Sequence, residues 1–272
     1  MRSDPPARPR RAHDEPTART ITLPTGPASI LDEGEGPAVV CVHGLPGAGR
    51  DFRWLLRPLA GRARVVSVDL PGFGETPVRA GPDPSPEGRA AFVLAVIDAL
   101  GLDRPMIVGH SMGGVVAVAA VAQRPQGFRA LGLVASPGLR PHRAFQRIPR
   151  RALFAATHGP WATLTMPLVR RLFAGAGFRT YPDPALVRTI ACLRVTSLEA
   201  HATRLRALAL PTLAAWCDDD PLIEPAILAE LSEALPPGPR LRWATGGHVP
   251  QKTHPDALAE AIATLVASPL GA

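Results

Sequence analysis

Short, continuously apolar runs recur along the chain, separated by stretches in which apolar residues return every three or four positions. The runs fall at Ala38–Val42, Val65–Val68, Met106–Val108, Leu131–Ala135 and Thr212–Trp216, with a weaker one at Arg240–Trp243. A run with no polar alternation describes a strand covered on both faces, as in a parallel sheet. Ile21–Leu23 and Ser29–Leu31 predict two further short strands around Pro-Thr-Gly-Pro turn residues. Helical spacing extends from Pro86 to Leu100, with Ser85 as N-cap and Gly101 just past the end. Met112–Gln123 is small and apolar throughout, as suits a helix packed against a sheet, and Ala226–Leu235 and Asp256–Val266 are amphipathic. Alternating strands and helices predict an α/β fold: an open, doubly wound, mostly parallel sheet.

The alternation breaks between Pro137 and Ala209. No clear strand falls there, and prolines 141, 149, 160, 167, 182 and 184 divide the segment into several short helices. It is too long for a plain crossover of a dozen or so residues. Residues 138–206 therefore read as an inserted helical cap, with 20–137 and 207–272 as the two parts of one core. Residues 1–19, rich in proline, arginine and acids, bury too little apolar surface to offset their ordering entropy and read as a disordered tail.

Composition narrows the function classes. The net charge is +7, yet Lys252 is the only lysine, and no basic run carries interleaved aromatics. A nucleic-acid partner is not expected. The longest apolar stretch, Val115–Ala122, is far short of the roughly 20 residues a membrane span needs. Arg10-Arg11 is followed by no apolar export segment. Cys41, Cys192 and Cys217 match neither a zinc site nor a disulfide framework. The expectation is a cytoplasmic protein with reduced thiols, no metal, no cofactor and a small-molecule substrate.

The chemistry concentrates at Gly109-His110-Ser111-Met112-Gly113, which follows a predicted buried strand and opens a predicted helix. In that setting a serine stands exposed on a strained turn, and glycines permit close approach of strand and helix. A serine hydroxyl needs a base to take its proton, and the base needs an orienting carboxylate. His248, in the glycine-rich loop before the last helix, is the candidate base. His254 is its rival, but it precedes Pro255 at a helix start, where a capping or exposed role suffices. No Asp or Glu lies between Arg104 and Pro182. The acid is therefore sought after Thr212–Trp216, among Asp218, Asp219 and Asp220. Backbone N–H groups of Met112 and of Leu45, in the loop after Ala38–Val42, are the candidate donors to a developing oxyanion.

Five pieces taken in order, VVCVHGLPG (39–47), VVSVDLPGFGET (65–76), VGHSMGG (108–114), WCDDDPLI (216–223) and GGHVPQKTHPD (246–256), resemble the α/β-hydrolase superfamily. The resemblance spans about residues 20–272. It implies the chain order nucleophile, acid, histidine, and it selects Asp220 from the three aspartates. Cys217 departs from the glycine usual there. Relatives resembling haloalkane dehalogenases and epoxide hydrolases carry Asp where this chain has Ser111, so the resemblance implies acyl transfer by a serine hydrolase of carboxylic esters. The same three residues would also serve carbon–carbon bond hydrolysis or a cofactor-free perhydrolase. A slow-turnover ligand-binding protein is the alternative from another class.

Residues 140–206 hold twelve arginines (140, 143, 147, 150, 151, 170, 171, 179, 188, 194, 204 and 206) against Asp183 and Glu199. They read either as an attractor of anionic substrates or surfaces, or as solvated helix faces. Trp161, Phe145, Phe154, Phe173, Met166 and Leu172 read either as pocket lining or as the cap's own core.

Overall fold

The structure, a computed structural model, describes residues 16–175 and 181–268. Nearly all of the 1–19 segment lies outside the described residues, and Arg19 already belongs to the first strand. Among the described residues eight strands form one sheet: β1 (Arg19–Leu23), β2 (Gly26–Glu33), β3 (Ala38–Val42), β4 (Arg64–Val68), β5 (Met106–His110), β6 (Ala130–Val134), β7 (Thr212–Cys217) and β8 (Arg240–Trp243). Their order is β1-β2-β4-β3-β5-β6-β7-β8. β2 pairs antiparallel with β1 and β4, and every other pairing is parallel. β2 runs beyond its apolar part because Asp32, near its end, accepts a two-pronged bond from Arg64 at 2.8 Å on each oxygen. That charged pair hid the strand's extent from the apolar pattern.

Helices cover both faces. Between strands they are α1 (Arg53–Leu59), α2 (Pro86–Ala99) and α3 (Met112–Gln123). Val40, Val42, Val66, Val68, Ile107 and Leu131 pack into a core with α2 and α3. Their neighbours Val39, Cys41, Val65, Met106 and Val108 point the other way, against Leu55 and Leu59 of α1 and against the C-terminal helix. Opposite faces are thus equally apolar, which is why the strands read as unbroken apolar runs. Ser85 caps α2, its hydroxyl accepting from Gly88 N–H at 3.0 Å, and Gly101 follows with φ +60°. α1 escapes the sequence pattern because Arg53, Arg57 and an internal Pro58 interrupt its buried row.

Between β6 and β7 the chain forms the cap: α4 (Arg143–Arg147), α5 (Arg150–His158), α6 (Ala162–Gly175), α7 (Asp183–Val195) and α8 (Leu198–Arg206). Pro149 and Pro182 occupy the N-cap positions of α5 and α7, where a residue with no N–H is tolerated; Pro167, expected to divide two helices, instead lies inside α6. Val169, Phe173, Leu186 and Ile190 make a small core of the cap's own. Arg188 fastens the cap to the sheet domain by donating to the carbonyls of Pro71, Gly81 and Pro82. The chain closes with α9 (Pro225–Ala234), α10 (Pro250–Thr253) and α11 (Pro255–Ala267). Among the described residues no helix is long and apolar enough to cross a membrane.

Candidate active site

β5 ends at His110 and α3 begins at Met112, leaving Ser111 alone at the corner with φ 52° and ψ −128°. An L-residue held there costs about 1–3 kcal/mol, which the surrounding packing must offset. The glycines make the corner sterically feasible. A Cβ on Gly109 would lie 2.5 Å from the Gly113 carbonyl oxygen, and one on Gly113 would lie 2.2 Å from that of Val42.

Ser111 Oγ lies 2.8 Å from His248 Nε2, and His248 Nδ1 lies 2.7 Å from Asp220 Oδ2. The other carboxylate oxygen, Oδ1, accepts from Leu222 N–H at 2.8 Å and Ile223 N–H at 3.1 Å. The Asp220 side chain is fully buried. An ionised carboxylate there carries a desolvation cost that these three bonds counter. The three adjacent aspartates separate by partner. Asp218 pairs with exposed Arg242 at 2.9 Å. Asp219 accepts from the N–H groups of Gly246 and Gly247, which holds its carboxyl below the usual range and pins the loop before His248. Only Asp220 reaches His248. His254 stacks on Trp243, ring centroids 4.4 Å apart, and contacts the Thr245 carbonyl through Nε2, so it is not brought to Ser111.

Two further histidines brace the site. His110 donates through Nε2–H to the carbonyl of His248 at 2.7 Å, tying the His248 backbone to the end of β5. Burial, with the neighbouring His248 imidazole, lowers its pKa to about 3, so it stays neutral. His43 accepts from Leu70 N–H at 3.0 Å and donates through Nδ1–H to the Gly44 carbonyl at 2.7 Å. Burial pushes its pKa down as well. That brace holds the 43–47 loop against Ser111, where a Cβ on Gly44 would sit 3.0 Å from Ser111 Cβ. The sequence assigned no bracing role to His43 or His110. Their signal is a polar residue inside an otherwise apolar strand-to-turn junction.

Above Ser111 opens a cavity of about 260 Å³, lined by Leu45, Met112 and His248 from below and by Phe145, Ile148, Leu153, Phe173 and Leu193 from the cap. The wall is mostly apolar. Besides Ser111 and His248, its polar members are His142, Thr189 and Arg147. His142 is buried, which lowers its pKa to about 4; like Arg147, it drew no pocket role from the sequence. Of the six cap residues considered as lining or core, Phe145, Phe173 and Leu172 line the cavity. Met166 and Phe154 pack on the cap's own core. Trp161 does neither: it is largely exposed.

Most cap arginines are engaged. Arg140, Arg143 and Arg204 pair with Glu230, Glu224 and Glu87 outside the cap, and Arg170 pairs with Asp183. Arg150 and Arg194 lie over the rings of Phe145 and Phe154. Arg179 lies outside the described residues. Among the described residues no cluster of three or more His, Cys, Asp or Glu is arranged to hold a metal ion, and the three cysteines are buried free thiols.

Residues 37–156 match the family model of the alpha/beta hydrolase fold. The chain is 32% identical over 266 residues to the polyketide synthase ThaQ of Burkholderia thailandensis, a match covering 90% of this chain but only 12% of that much longer protein. It is 27% identical to the pimeloyl-[acyl-carrier protein] methyl ester esterase of Aeromonas salmonicida, covering 86% of this chain and 97% of the relative. Among solved structures, haloalkane dehalogenase DbeA from Bradyrhizobium elkani superposes with a TM-score of 0.73 at 22% identity, covering 92% of this chain and 97% of that one. A parallel sheet with its serine corner after the central strand, an inserted helical cap, the family-model match and the shared fold of the solved structure thus agree, and the chain belongs to the α/β-hydrolase superfamily.

Proposed function

We propose that this protein is a serine hydrolase that cleaves a carboxylic ester with an apolar acyl group, using Ser111, His248 and Asp220. One observation carries the reading: an unbroken hydrogen-bonded chain from Ser111 Oγ through both nitrogens of His248 to buried Asp220, at the floor of an apolar cavity. The ester in the name of the Aeromonas relative accords with it.

In this reading Ser111 Oγ attacks the ester carbonyl while His248 Nε2 takes its proton. Asp220 Oδ2 accepts from Nδ1–H, which fixes the tautomer with a free lone pair on Nε2 and stabilises the imidazolium once formed. The carbonyl oxygen becomes an oxyanion held by the N–H groups of Leu45 and Met112, with the positive end of the α3 dipole behind the latter. The intermediate expels the alcohol, which takes the proton from His248. Water then attacks the acyl-enzyme, again deprotonated by His248, and the acid departs as Ser111 regains its proton. The 138–206 cap shields the acyl-enzyme from bulk water, and its apolar wall selects the acyl group.

A fluorophosphonate probe tests the assignment. Wild-type protein should take up one label, mapped to Ser111 by mass spectrometry, and Ser111→Ala should take up none. A label that persists in the variant rejects Ser111. A panel of p-nitrophenyl esters of rising acyl length then tests the ester reading, with rates equal to buffer across the panel as the contrary result.

A further inference from the structure

Helix α6 carries two apolar rows where a helix resting on a folded core needs one. Met166, Val169 and Phe173 turn inward to the core shared with α7. Trp161, just before the helix, with Leu164, Leu168 and Leu172, forms a second row at helical spacing. These four are 67%, 74%, 72% and 51% exposed. Exposed leucines scattered singly need no explanation, but a contiguous row beside a site does.

The row is continuous with the cavity, because Leu172 belongs to both. It is also framed by positive charge. Arg171, seven residues after Leu164, lies on the same flank of the helix, and Arg147 shares the cavity wall with Leu172. Both are exposed, and neither forms an ion pair among the described residues. α6 contains no acidic residue at all. Two copies meeting through this face would bring arginine against arginine, whereas an anionic surface would pair with both. Tryptophan and leucines on one face with arginines at its margin is the pattern of a helix lying in the headgroup boundary of a bilayer.

We propose that α6 docks this protein on an anionic lipid surface through Trp161, Leu164, Leu168 and Leu172, and that an apolar acyl ester passes from that surface along Leu172 to Ser111. The delivery step rests on the ester-hydrolase reading. The docking step does not.

The test uses the full chain with vesicles of phosphatidylcholine alone and of equal parts phosphatidylcholine and phosphatidylglycerol. Wild-type protein should sediment with the mixed vesicles, less so as salt rises, and remain in solution with the neutral ones. Leu164→Ser/Leu168→Ser should lose vesicle affinity by on the order of tenfold or more. It should keep the wild-type melting curve and the wild-type rate on a soluble short-chain ester. Arg171→Glu should weaken binding to the mixed vesicles. Ser111→Ala should bind vesicles like wild type, so docking is read independently of turnover, and inactivity toward esters would not touch it. Wild-type protein left in the supernatant with mixed vesicles overturns the proposal, as does undiminished binding by the double serine variant. So does a dimer in solution that Leu168→Ser dissociates, or capture of an acidic carrier protein without vesicle binding, since either gives the row to another occupant.

Discussion

Replacing Asp220 by asparagine tests the proposed site more sharply than removing the Ser111 hydroxyl, because the bonds around the carboxylate dictate how the amide must sit. Oδ1 accepts two backbone N–H bonds, from Leu222 and Ile223, and Oδ2 faces His248 Nδ1. An asparagine has one oxygen to offer. Placing its NH₂ toward Leu222 and Ile223 would set a donor against two donors in a buried position. The amide oxygen therefore stays with the backbone and the NH₂ turns to His248. Nδ1 must then present its lone pair, and the ring's proton moves to Nε2, facing Ser111 Oγ. That imidazole has no lone pair with which to take the serine proton.

Inversion of the tautomer in this way lowers turnover by about ten-thousandfold, roughly 5 kcal/mol of barrier. Fold stability should barely respond, since both backbone bonds survive; the melting temperature should move by no more than a few degrees. The assay is kcat/KM on a p-nitrophenyl ester, read beside a thermal melt. Asp218→Asn loosens an exposed ion pair with Arg242, worth about 0–1 kcal/mol, and should change kcat/KM less than tenfold. Asp219→Asn keeps only one of two bonds to the Gly246–Gly247 backbone and should fall between the two. Activity of Asp220→Asn within tenfold of wild type would refute the reasoning, and so would equal losses at all three positions.

Gly113→Ala should destabilise the fold by about 3 kcal/mol or more, because its Cβ would meet the Val42 carbonyl at 2.2 Å; a melt within a degree of wild type contradicts the close approach. His201 is buried, donates through Nε2–H to the Pro137 carbonyl and has its pKa lowered by burial to about 4. The unfolded chain therefore takes up this proton first as pH falls. The stabilisation is whole above pH 6.5 and drains away down to about pH 4, by on the order of 3 kcal/mol. Denaturant melts of His201→Gln should show a correspondingly shallower loss over that range, and curves parallel to wild type would exclude His201 as the source.

What the sequence revealed, and what it withheld, divides along local and distant causes. Strands β3 to β7 were legible because burial on both faces writes itself into consecutive residues, as at Val39 to Val42, which alternate between two cores. The serine corner was legible for the same reason: glycines at 109 and 113 answer to contacts made within one strand-turn-helix unit and the adjoining strand end. The cap was legible as helices but not as a surface. Glu87, Glu224 and Glu230 neutralise its arginines from 81 to 117 residues away, so counting charge within the segment overstates its field. Two apolar rows on one helix likewise look alike in sequence until the partner of each is known.

Convergence of Ser111, Asp220 and His248 follows from the sheet itself. β3, β5, β7 and β8 run parallel, so the segments that leave their C-terminal ends emerge on one edge. The 43–47 loop follows β3, Ser111 follows β5, the three aspartates follow β7, and the loop to His248 follows β8. Any residue placed just after such a strand is delivered to the crevice at that edge. Topology thus brings all four segments within reach, and the choice among neighbours is left to hydrogen bonding. Of three consecutive carboxylates, only the one whose second oxygen is held by the Leu222 and Ile223 amides turns its first to the imidazole. That is why the end of one strand delivers three aspartates together, and why a single bond to His248 then singles out Asp220, the one the family resemblance selects.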